Sequence, residues 1–361
     1  MSVDLLARPR ALEDLAAKIL VAAGANADEA TAVARYLVMS DLVGHGSHGV
    51  LRVKQYVEQI QKGEIVCRVE PVVVSEGQGF AVLEGGLGFG QIGAEHATRL
   101  ACAKAKTQAI ALVALRNIAH VGRLGDWVEL AAEQGCVSFH FVNTLSMPRV
   151  APWGGREGRL STNPLAWGMP VAGGAPIIVD LTTSVVAEGK VRLNRDAGKP
   201  VPEGWIVDRE GKSTTDAKAL YDGGSLLPLG GLEAGHKGYA LSLMVDLMAG
   251  AISGGGASGA DRKINCNNFT VIAIDPTLLA ADDWIVTEAA RFSAWLKSAT
   301  PAKADKSVLM PGDVERNTRA RQQREGLLLS AGAIKTLTDA AALAGAPVKL
   351  VEDFISATPP N

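Results

Sequence analysis

Cysteine is scarce in this sequence, and the cysteines are too widely spaced to predict a disulfide-stabilised small fold or a thiolate metal site. The 361 residues include four cysteines, at positions 67, 102, 136 and 266, with no C-x-x-C pair. Neither a disulfide framework nor a thiolate metal site follows from that spacing. Reduced thiols in a cytoplasmic protein fit best.

An excess of either charge is also absent. The chain has 36 Lys and Arg against 38 Asp and Glu, which gives a formal net charge of −2. No broad basic field is available to attract nucleic acid or anionic lipid, so we expect neither partner. At roughly 100–200 residues per domain, the length suggests two or three domains.

Long apolar runs are missing as well. The most apolar later stretch, residues 241–252, is interrupted by Asp246 and is well short of the ~20 residues that span a bilayer. Residues 1–19 mix charges into a helical period and contain no uninterrupted apolar segment of the kind that directs secretion. We expect no membrane span and a cytoplasmic location.

The first 62 residues show helical periodicity. Apolar residues at helical spacing predict three helices, and glycines stand where these helices should end. Asn26, with Glu29 three residues later, resembles a capping box at the start of the second helix. Residues 44–49, GHGSHG, then form the loop before the third helix, with Ser47 as the expected N-cap of that helix.

From about residue 65, short apolar runs alternate with helical stretches, a pattern that predicts an α/β fold. The predicted strands are 80–83, 110–115, 137–142, 177–181 and 271–274. The predicted helices between them include 93–106 and 125–134. The glycine-rich segment 251–261 is expected to be a mobile loop, and the charged segment 313–326 a solvated helix.

One glycine motif resembles a phosphate-binding fingerprint. Residues 88–93, GFGQIG, match G-x-G-x-x-G and open a helical stretch. The fingerprint requires an acidic residue about 20 residues later, at the end of the next strand, but that strand ends in Arg116. We favour a tight turn that permits close packing; the alternative is a dinucleotide site in which Arg116 accommodates a 2′-phosphate.

The histidines are the clearest candidates for proton transfer, because an imidazole of pKa ~6.5 exists in both forms near neutrality. His140 alternates within a predicted strand and His96 lies on a helix face, so both are expected to be structural. His45 and His48 form H-x-x-H, which could bind a metal, but no acidic ligand pattern accompanies the pair. We therefore predict no metal site.

Six short segments follow one another along the chain in a recognisable order. They are 40–42 with Gly44 and 47–49, Asn117 with His120 and Gly122, 162–164, Asp180 with 183–184, 236–239, and 311–312 with 318–319. Together these segments resemble the malate/L-lactate dehydrogenase family of the second type, which does not have the Rossmann fold. Within that family the resemblance is greatest to the hydroxycarboxylate dehydrogenase B branch.

The resemblance implies an α/β fold with a mixed-sheet cofactor domain and a second domain built from both chain ends. Residues 121–299 would form the dinucleotide-binding domain, and residues 1–120 with 300–361 the helical domain for substrate binding and dimerisation. It also implies a homodimer that transfers a hydride between NAD or NADP and a small 2-oxo or 2-hydroxy acid. This interpretation argues against residues 88–93 as the cofactor site.

The resemblance also assigns roles to individual residues. His48 is the favoured proton carrier, and His120 is the alternative. Substrate contacts are expected from Ser47, Arg52 and Arg123, because a guanidinium can hold a carboxylate through two parallel hydrogen bonds. The residues expected around the dinucleotide are His48, Gly122, Arg123, Leu124, Ile178, Val179, Asp180, Leu181, Thr182, His236, Lys237, Gly312 and Asp313.

Local patterns support two of these cofactor contacts. The strand 177–181 leads into residues 182–184, which we expect at a helix start, where free backbone N–H groups favour a phosphate. Lys237 would stand at the start of a helix over 239–252, where a cation is disfavoured unless an anion lies beside it.

Three other functions remain open. One is a cyclic imino acid reductase of the same family. The second, from a different class, is a metal-dependent lyase or hydrolase that uses His45, His48 and His120. The third is a catalytically silent binding protein, which the presence of both candidate proton carriers together with Arg52 and Lys237 disfavours.

Overall fold

Helices from both ends of the chain accompany a central β-sheet in a computed structural model, which describes residues 4–146, 148–261, 264–347 and 349–358. The helices are α1 (Pro9–Ala22), α2 (Ala27–Leu42), α3 (Arg52–Gln61), α4 (Gly90–Gln108), α5 (Leu124–Glu133), α6 (Glu188–Asp196), α7 (Gly231–Asp246), α8 (Trp284–Lys297), α9 (Asp313–Glu325), α10 (Ala331–Leu343) and α11 (Lys349–Ala357). The strands are β1 (Leu5–Ala7), β2 (Val72–Gly77), β3 (Phe80–Glu84), β4 (Ile110–Ile118), β5 (Val137–Thr144), β6 (Leu165–Met169), β7 (Ile177–Leu181), β8 (Ile206–Val207), β9 (Ser213–Thr214), β10 (Ser225–Leu226), β11 (Asn267–Ile274) and β12 (Leu327–Leu329).

The central sheet has seven strands in the order β2-β3-β4-β11-β5-β6-β7. The pair β3 and β4 is parallel and the other neighbours are antiparallel, so the sheet is mixed. All five predicted strands belong to it, which confirms the α/β class. The sequence patterns did not reveal β2 and β6.

The three predicted N-terminal helices are confirmed as α1, α2 and α3. The capping box is present: the Asn26 side chain accepts from Glu29 N at 2.8 Å, and Glu29 Oε2 accepts from Asn26 N at 3.0 Å. The expectation for Ser47 was wrong, since α3 begins at Arg52 and its N-cap, Leu51, makes no side-chain cap bond. Ser47 instead lies in a single 3₁₀ turn, Gly46–His48.

Two large apolar clusters divide the molecule. One joins both chain ends and includes Leu12, Leu37 and Val57 from the N-terminal helices with Leu337 and Phe354 from α10 and α11. The other lies under the central sheet. Strands from both sides of residue 120 belong to that sheet, and the division into domains at residues 120 and 300 stays a prediction.

Two further segments can be compared with expectation. The charged segment 313–326 forms α9, which contains no buried residue, as predicted. In the glycine-rich segment, Ser258 donates to Asp246 Oδ2 at 2.7 Å and the Gly256 carbonyl accepts from Asn143 at 3.1 Å. The predicted mobility of that segment stays a prediction. None of the described helices is long and apolar enough to cross a membrane.

Two expectations about helix starts were wrong. Residues 182–184 form a bend after β7, and the next helix, α6, starts only at Glu188. Helix α7 starts at Gly231, so Lys237 lies in its second turn and not at its N-terminus. The helix-end arguments for phosphate binding at these two places therefore do not apply.

Candidate active site

The loop between α2 and α3 is held by a carboxylate. Asp41, at the end of α2, accepts a hydrogen bond from Val50 N at 2.8 Å. A Cβ on Gly49 would lie 1.9 Å from Asp41 Oδ1, so only glycine permits this closure. Burial raises the pKa of Asp41 to about 7, although the Val50 N–H partly opposes that shift. The loop that carries Ser47 and His48 is thereby fixed at both ends.

Ser47, His48 and Arg52 come together as the sequence predicts. Ser47 Oγ lies 3.0 Å from His48 Nδ1, and the Ser47 carbonyl accepts from Arg52 Nε at 2.7 Å. Arg52 Nη1 donates to Gln55 Oε1 at 2.6 Å. Among the residues described, no carboxylate forms an ion pair with Arg52. Its guanidinium therefore retains donors and an unneutralised charge beside His48.

His120 follows the end of β4 and lies against His48. The two imidazole rings stack with centroids 5.4 Å apart and an interplanar angle of 24°. His120 Nδ1 is 2.8 Å from the Tyr56 hydroxyl, which in turn accepts from Gln91 Nε2 at 2.8 Å. Both candidate proton carriers thus share one site.

Both imidazoles are held neutral. Burial lowers the pKa of His48 to about 3, and the charges of Arg52, His45 and Arg123 lower it further. Burial also lowers the pKa of His120 well below its usual value, with Arg52 and His48 acting in the same direction. The low pKa of His48 therefore comes from burial and neighbouring cations, because helix α3 begins only at Arg52.

Arg123 is surrounded by carboxylates. Its side chain is 2% exposed, Nη1 donates to Asp126 Oδ1 at 2.7 Å, and Nη2 donates to Glu129 Oε1 at 3.1 Å. Asp180 Oδ2 lies 3.8 Å from Nε and accepts from Gly125 N at 2.7 Å. Burial alone would lower the Arg123 pKa, but the three carboxylates outweigh it and raise that pKa. A substrate-binding role for Arg123 stays a prediction, with both terminal nitrogens already engaged.

The expected cofactor residues of β7 lie beside the turn that precedes α9. Ile178 N donates to the Pro311 carbonyl at 3.2 Å, and Gly312 adopts a φ of 94°. A Cβ on Gly312 would approach Ile178 Cβ to 3.1 Å, so the turn packs closely on the strand. Asp313 accepts from Met310 N at 2.8 Å and from Arg316 at 2.6 Å. The Asp313 carboxylate therefore stabilises this turn through two hydrogen bonds.

His236 and Lys237 are carried by helix α7. Both side chains are exposed, and the His236 ring contacts Trp153 at 5.8 Å. No hydrogen bond or ring contact among the described residues joins them to His48 or His120. Their cofactor role stays a prediction.

Residues 88–93 serve close packing, the interpretation favoured from the sequence. A Cβ on Gly90 would come within 2.3 Å of the Ala119 and His120 carbonyl oxygens. Helix α4 can therefore approach the segment that carries His120 only because residue 90 is glycine. Sequence reasoning missed Tyr56 and Gln91; the available signals were Tyr56 one turn beyond Arg52, and Gln91 inside the glycine motif.

Two further observations limit other interpretations. Within the parts of the chain that the structure describes, no group of three or more His, Cys, Asp and Glu residues is arranged to hold a metal ion. A cavity of about 600 Å³ lies beside Glu84, Leu87 and Asn117, and neither His48 nor His120 lines it.

The chain resembles proteins of known type over most of its length. A family model described as malate/L-lactate dehydrogenase matches residues 8–338. Hydroxycarboxylate dehydrogenase B of Escherichia coli strain K12 is 38% identical over 341 residues, 92% of each chain. A Δ1-pyrroline-2-carboxylate/Δ1-piperideine-2-carboxylate reductase of Pseudomonas syringae is 38% identical over 68% of this chain and 70% of its own. The solved malate dehydrogenase of Pyrococcus horikoshii is 32% identical with a TM-score of 0.85, covering 95% of this chain and 97% of its own.

Fold, site and matches together define an oxidoreductase of the dehydrogenase type. The chain belongs to the malate/L-lactate dehydrogenase family, so the predicted family, fold class and enzyme class are confirmed. The family implies a nicotinamide cofactor.

The end of β7 fits such a cofactor. Asp180 Oδ2 is engaged by Gly125 N, whereas Oδ1 accepts no hydrogen bond from a described residue and is available to a hydroxyl group. Asp180 also lies close enough to His45 and Arg123 for their charges to lower its pKa, although burial has the larger effect and raises it. The end of β7 therefore presents a carboxylate with one oxygen that accepts no hydrogen bond from a described residue.

Proposed function

We propose that this enzyme interconverts a small 2-oxo acid and the corresponding 2-hydroxy acid with NAD or NADP, using an imidazole to move the proton. The observation that carries the proposal is the stacked pair His48 and His120, 5.4 Å apart, beside the guanidinium of Arg52. A dehydrogenase needs a group that polarises a carbonyl, a group that moves one proton and a cation that orients a carboxylate. These three side chains meet those needs in one place.

Arg52 is the proposed anchor for the substrate carboxylate. Its Nε and Nη1 are bonded to neutral acceptors, a backbone carbonyl and an amide oxygen, which orient the guanidinium without neutralising it. A carboxylate bound there would form charge-assisted hydrogen bonds to the remaining donors. Glu188 and Arg192 of α6 also act on the Arg52 charge, which places the start of α6 next to this anchor.

The proton step depends on the charge of the bound carboxylate. Neutral imidazoles suit the direction in which a hydroxy acid gives up its proton, because a neutral ring nitrogen can accept it. In the opposite direction, a carboxylate on Arg52 would neutralise the cation that helps lower the pKa of His48. Substrate binding would therefore favour protonation of His48 and prepare it to donate.

The cofactor, when bound, supplies the hydride chemistry itself. Asp180 would accept from its ribose hydroxyls, and the turn at Gly312 and Asp313 would flank it beside Ile178. We retain the other residues from the sequence as proposed contacts. They are His48, Gly122, Arg123, Leu124, Val179, Leu181, Thr182, His236 and Lys237.

We also propose a homodimer located in the cytoplasm. The segment from α7 into the next turns exposes Leu241, Leu243, Met244, Leu247 and Ile252, a stretch of apolar surface that a second copy would cover. Cys67, Cys102 and Cys136 form no disulfide, as expected for a reducing compartment. Light scattering of the purified chain measures the oligomeric state directly.

A substrate panel tests the proposed function. The chain is mixed with NADH or NADPH and with malate- and lactate-type 2-oxo acids, and the absorbance of the reduced nicotinamide is followed. Cyclic imines, pyrroline- and piperideine-2-carboxylate, form a second arm, because the Pseudomonas syringae relative bears that activity in its name. Turnover of imines alone would replace the oxo acid assignment, and no turnover with any compound or cofactor would overturn the proposal.

A further inference from the structure

A chain of three polar side chains connects helix α4 to His120. Gln91 Nε2 lies 2.8 Å from the Tyr56 hydroxyl, and that hydroxyl lies 2.8 Å from His120 Nδ1. Gln91 is 1% exposed and Tyr56 is 1% exposed, so water does not offer them alternative partners. The hydrogen-bonding groups of these side chains must therefore be satisfied by one another.

The direction of these bonds follows from the number of protons available. The Gln91 amide nitrogen only donates, so the Tyr56 oxygen accepts from it. The single Tyr56 hydroxyl proton then remains for His120 Nδ1, which must be the unprotonated ring nitrogen. With the Gln91 amide in the opposite orientation, both amide protons would be buried without an acceptor. In the observed orientation one amide proton is bonded to the Tyr56 oxygen and the Gln91 oxygen lacks a partner, and an unpaired acceptor is the more common case in proteins.

We propose that Gln91 and Tyr56 are positioning residues that hold His120 as an Nε2–H donor toward the substrate oxygen, which leaves His48 to carry the transferred proton. Neutral imidazole has one ring proton, so a fixed acceptor at Nδ1 places that proton on Nε2. His120 then polarises the carbonyl but has no free lone pair for a proton. This inference rests on the proposed function, because it takes the substrate oxygen to lie beside the two rings.

His48 differs because its partner does not fix a direction. Ser47 Oγ, 3.0 Å from His48 Nδ1, either donates or accepts, since a hydroxyl does both. His48 can therefore exchange its tautomer and take up or release a proton at Nε2. Burial and the nearby charges of Arg52 and His48 lower the pKa of His120, which keeps the donor ring neutral.

The glycine motif at residues 88–93 makes the arrangement possible. Gly90 lets α4 approach the carbonyl oxygens of Ala119 and His120, which places Gln91 under Tyr56. Gly122, at a φ of 79°, turns the chain just after His120, and a Cβ there would lie 3.4 Å from the Gln91 side chain. The motif thus orients an imidazole instead of binding a phosphate.

Nitrogen NMR of the substrate-free protein with labelled histidine tests the tautomer without any turnover. His120 is assigned as the signal lost in His120→Gln. At pH 7 we expect the signal of an unprotonated Nδ1 and a protonated Nε2. The opposite tautomer in the unmodified protein would overturn the inference.

A pair of variants at Gln91 tests the direction of the hydrogen bonds that join Gln91, Tyr56 and His120. In Gln91→Glu the ionised carboxylate only accepts, so the Tyr56 proton should turn toward it and the His120 proton should move to Nδ1. In Gln91→Met, the matched control, the Tyr56 proton still has Nδ1 as its acceptor, and the tautomer should stay. An unchanged tautomer in Gln91→Glu would show that Gln91 does not set the direction.

Kinetics separate a positioning role from a structural one. Tyr56→Phe should lower kcat about 10–100-fold, by analogy with the loss seen when the hydrogen-bond partner of a metal-bound imidazole is removed, with KM little changed. Tyr36→Phe is the control. The Tyr36 hydroxyl donates to Glu95 at 2.7 Å and makes no hydrogen bond to His48 or His120, so this variant should leave kcat unchanged. Equal losses in both variants would contradict the inference. An inactive parent protein with the expected tautomer would instead refute the proposed function alone.

Discussion

Two buried or partly buried arginines near the site have opposite surroundings. Arg123 is encircled by Asp126, Glu129 and Asp180, and these carboxylates raise its pKa. Arg52 is bonded to the Ser47 carbonyl and to the Gln55 amide oxygen, and burial lowers its pKa. One cation is already neutralised within the chain, and the other is oriented but not neutralised.

The difference separates a structural charge from a binding charge. A charge removed from water is costly unless an opposite charge compensates it. At Arg123 the protein supplies that compensation, so this side chain ties α5 to β7. At Arg52 the compensation is missing, as expected where an anionic ligand provides it. Substitution of each arginine should therefore affect different properties.

The largest effect should come from Arg123→Met. It leaves Asp126, whose pKa burial already raises to about 7, without its guanidinium partner, and it removes the link to Asp180. Breaking a buried ion pair from one side typically costs about 3–5 kcal/mol of unfolding free energy. Urea unfolding at pH 7.5 measures this loss.

Arg99→Met is the control for Arg123→Met. Arg99 forms a two-bond pair with Glu95, but its side chain is 54% exposed. Exposed pairs contribute about 0–1 kcal/mol, so this variant should unfold almost as the parent does. Similar losses of unfolding free energy in both variants would show that the buried ion pairs of Arg123 stabilise the protein no more than an exposed pair does.

Arg52→Met should act on catalysis and not on stability. Loss of a charge-assisted contact to the substrate carboxylate should lower kcat/KM for 2-oxo acids about 10²–10³-fold. The unfolding free energy should change little, because no ion pair is broken. Steady-state kinetics and urea unfolding are measured on the same preparation.

Arg35→Met, on the neighbouring helix α2, is the matched control for Arg52→Met. Its guanidinium is exposed and pairs with Glu95 at 3.4 Å. It should leave kcat/KM unchanged. An Arg52→Met enzyme with normal kcat/KM would contradict the anchor role and, with it, the contrast between the two arginines.

The same contrast shows what the sequence could reveal. Arg52 and His48 are near each other in the chain, so their proximity in space could be predicted from spacing alone. The carboxylates around Arg123 come from α5 and from β7, and Asp180 is 57 residues away. A contact of that range depends on the packing of the sheet, which periodicity does not specify.

Glycine explains other errors of prediction. Residues 230–238 contain four glycines, and the sequence predicts a helix only from residue 239, yet α7 starts at Gly231. A Cβ on Gly235 would lie 2.7 Å from the Trp153 ring, and one on Gly238 would lie 2.3 Å from the Leu229 carbonyl oxygen. These glycines permit close packing of a helix and do not interrupt it. Their partners are visible only in the folded chain.

The smallest expected effect concerns the His48 pKa, and it compares the two arginines directly. Burial is the main cause of the low value, about 3, and Arg52 acts on it more strongly than Arg123 does. Arg52→Met should therefore raise the His48 pKa more than Arg123→Met, as measured by NMR titration of its ring protons. An equal rise in both variants would mean that Arg52 has no special influence on the proton carrier.

The same pKa predicts how stability depends on pH. The folded-state pKa of His48 is below its ordinary value of 6.5, so the unfolded chain binds the proton first. The contribution of His48 is complete above pH 6.5 and is lost as pH falls from 6.5 toward 3. Because Arg52→Met raises the folded-state pKa, it should make this acid loss smaller near pH 3, where the folded protein itself binds the proton, and urea unfolding at pH 7 and pH 3 measures the change. An acid loss as large as that of the parent protein would show that the Arg52 charge does not reach His48.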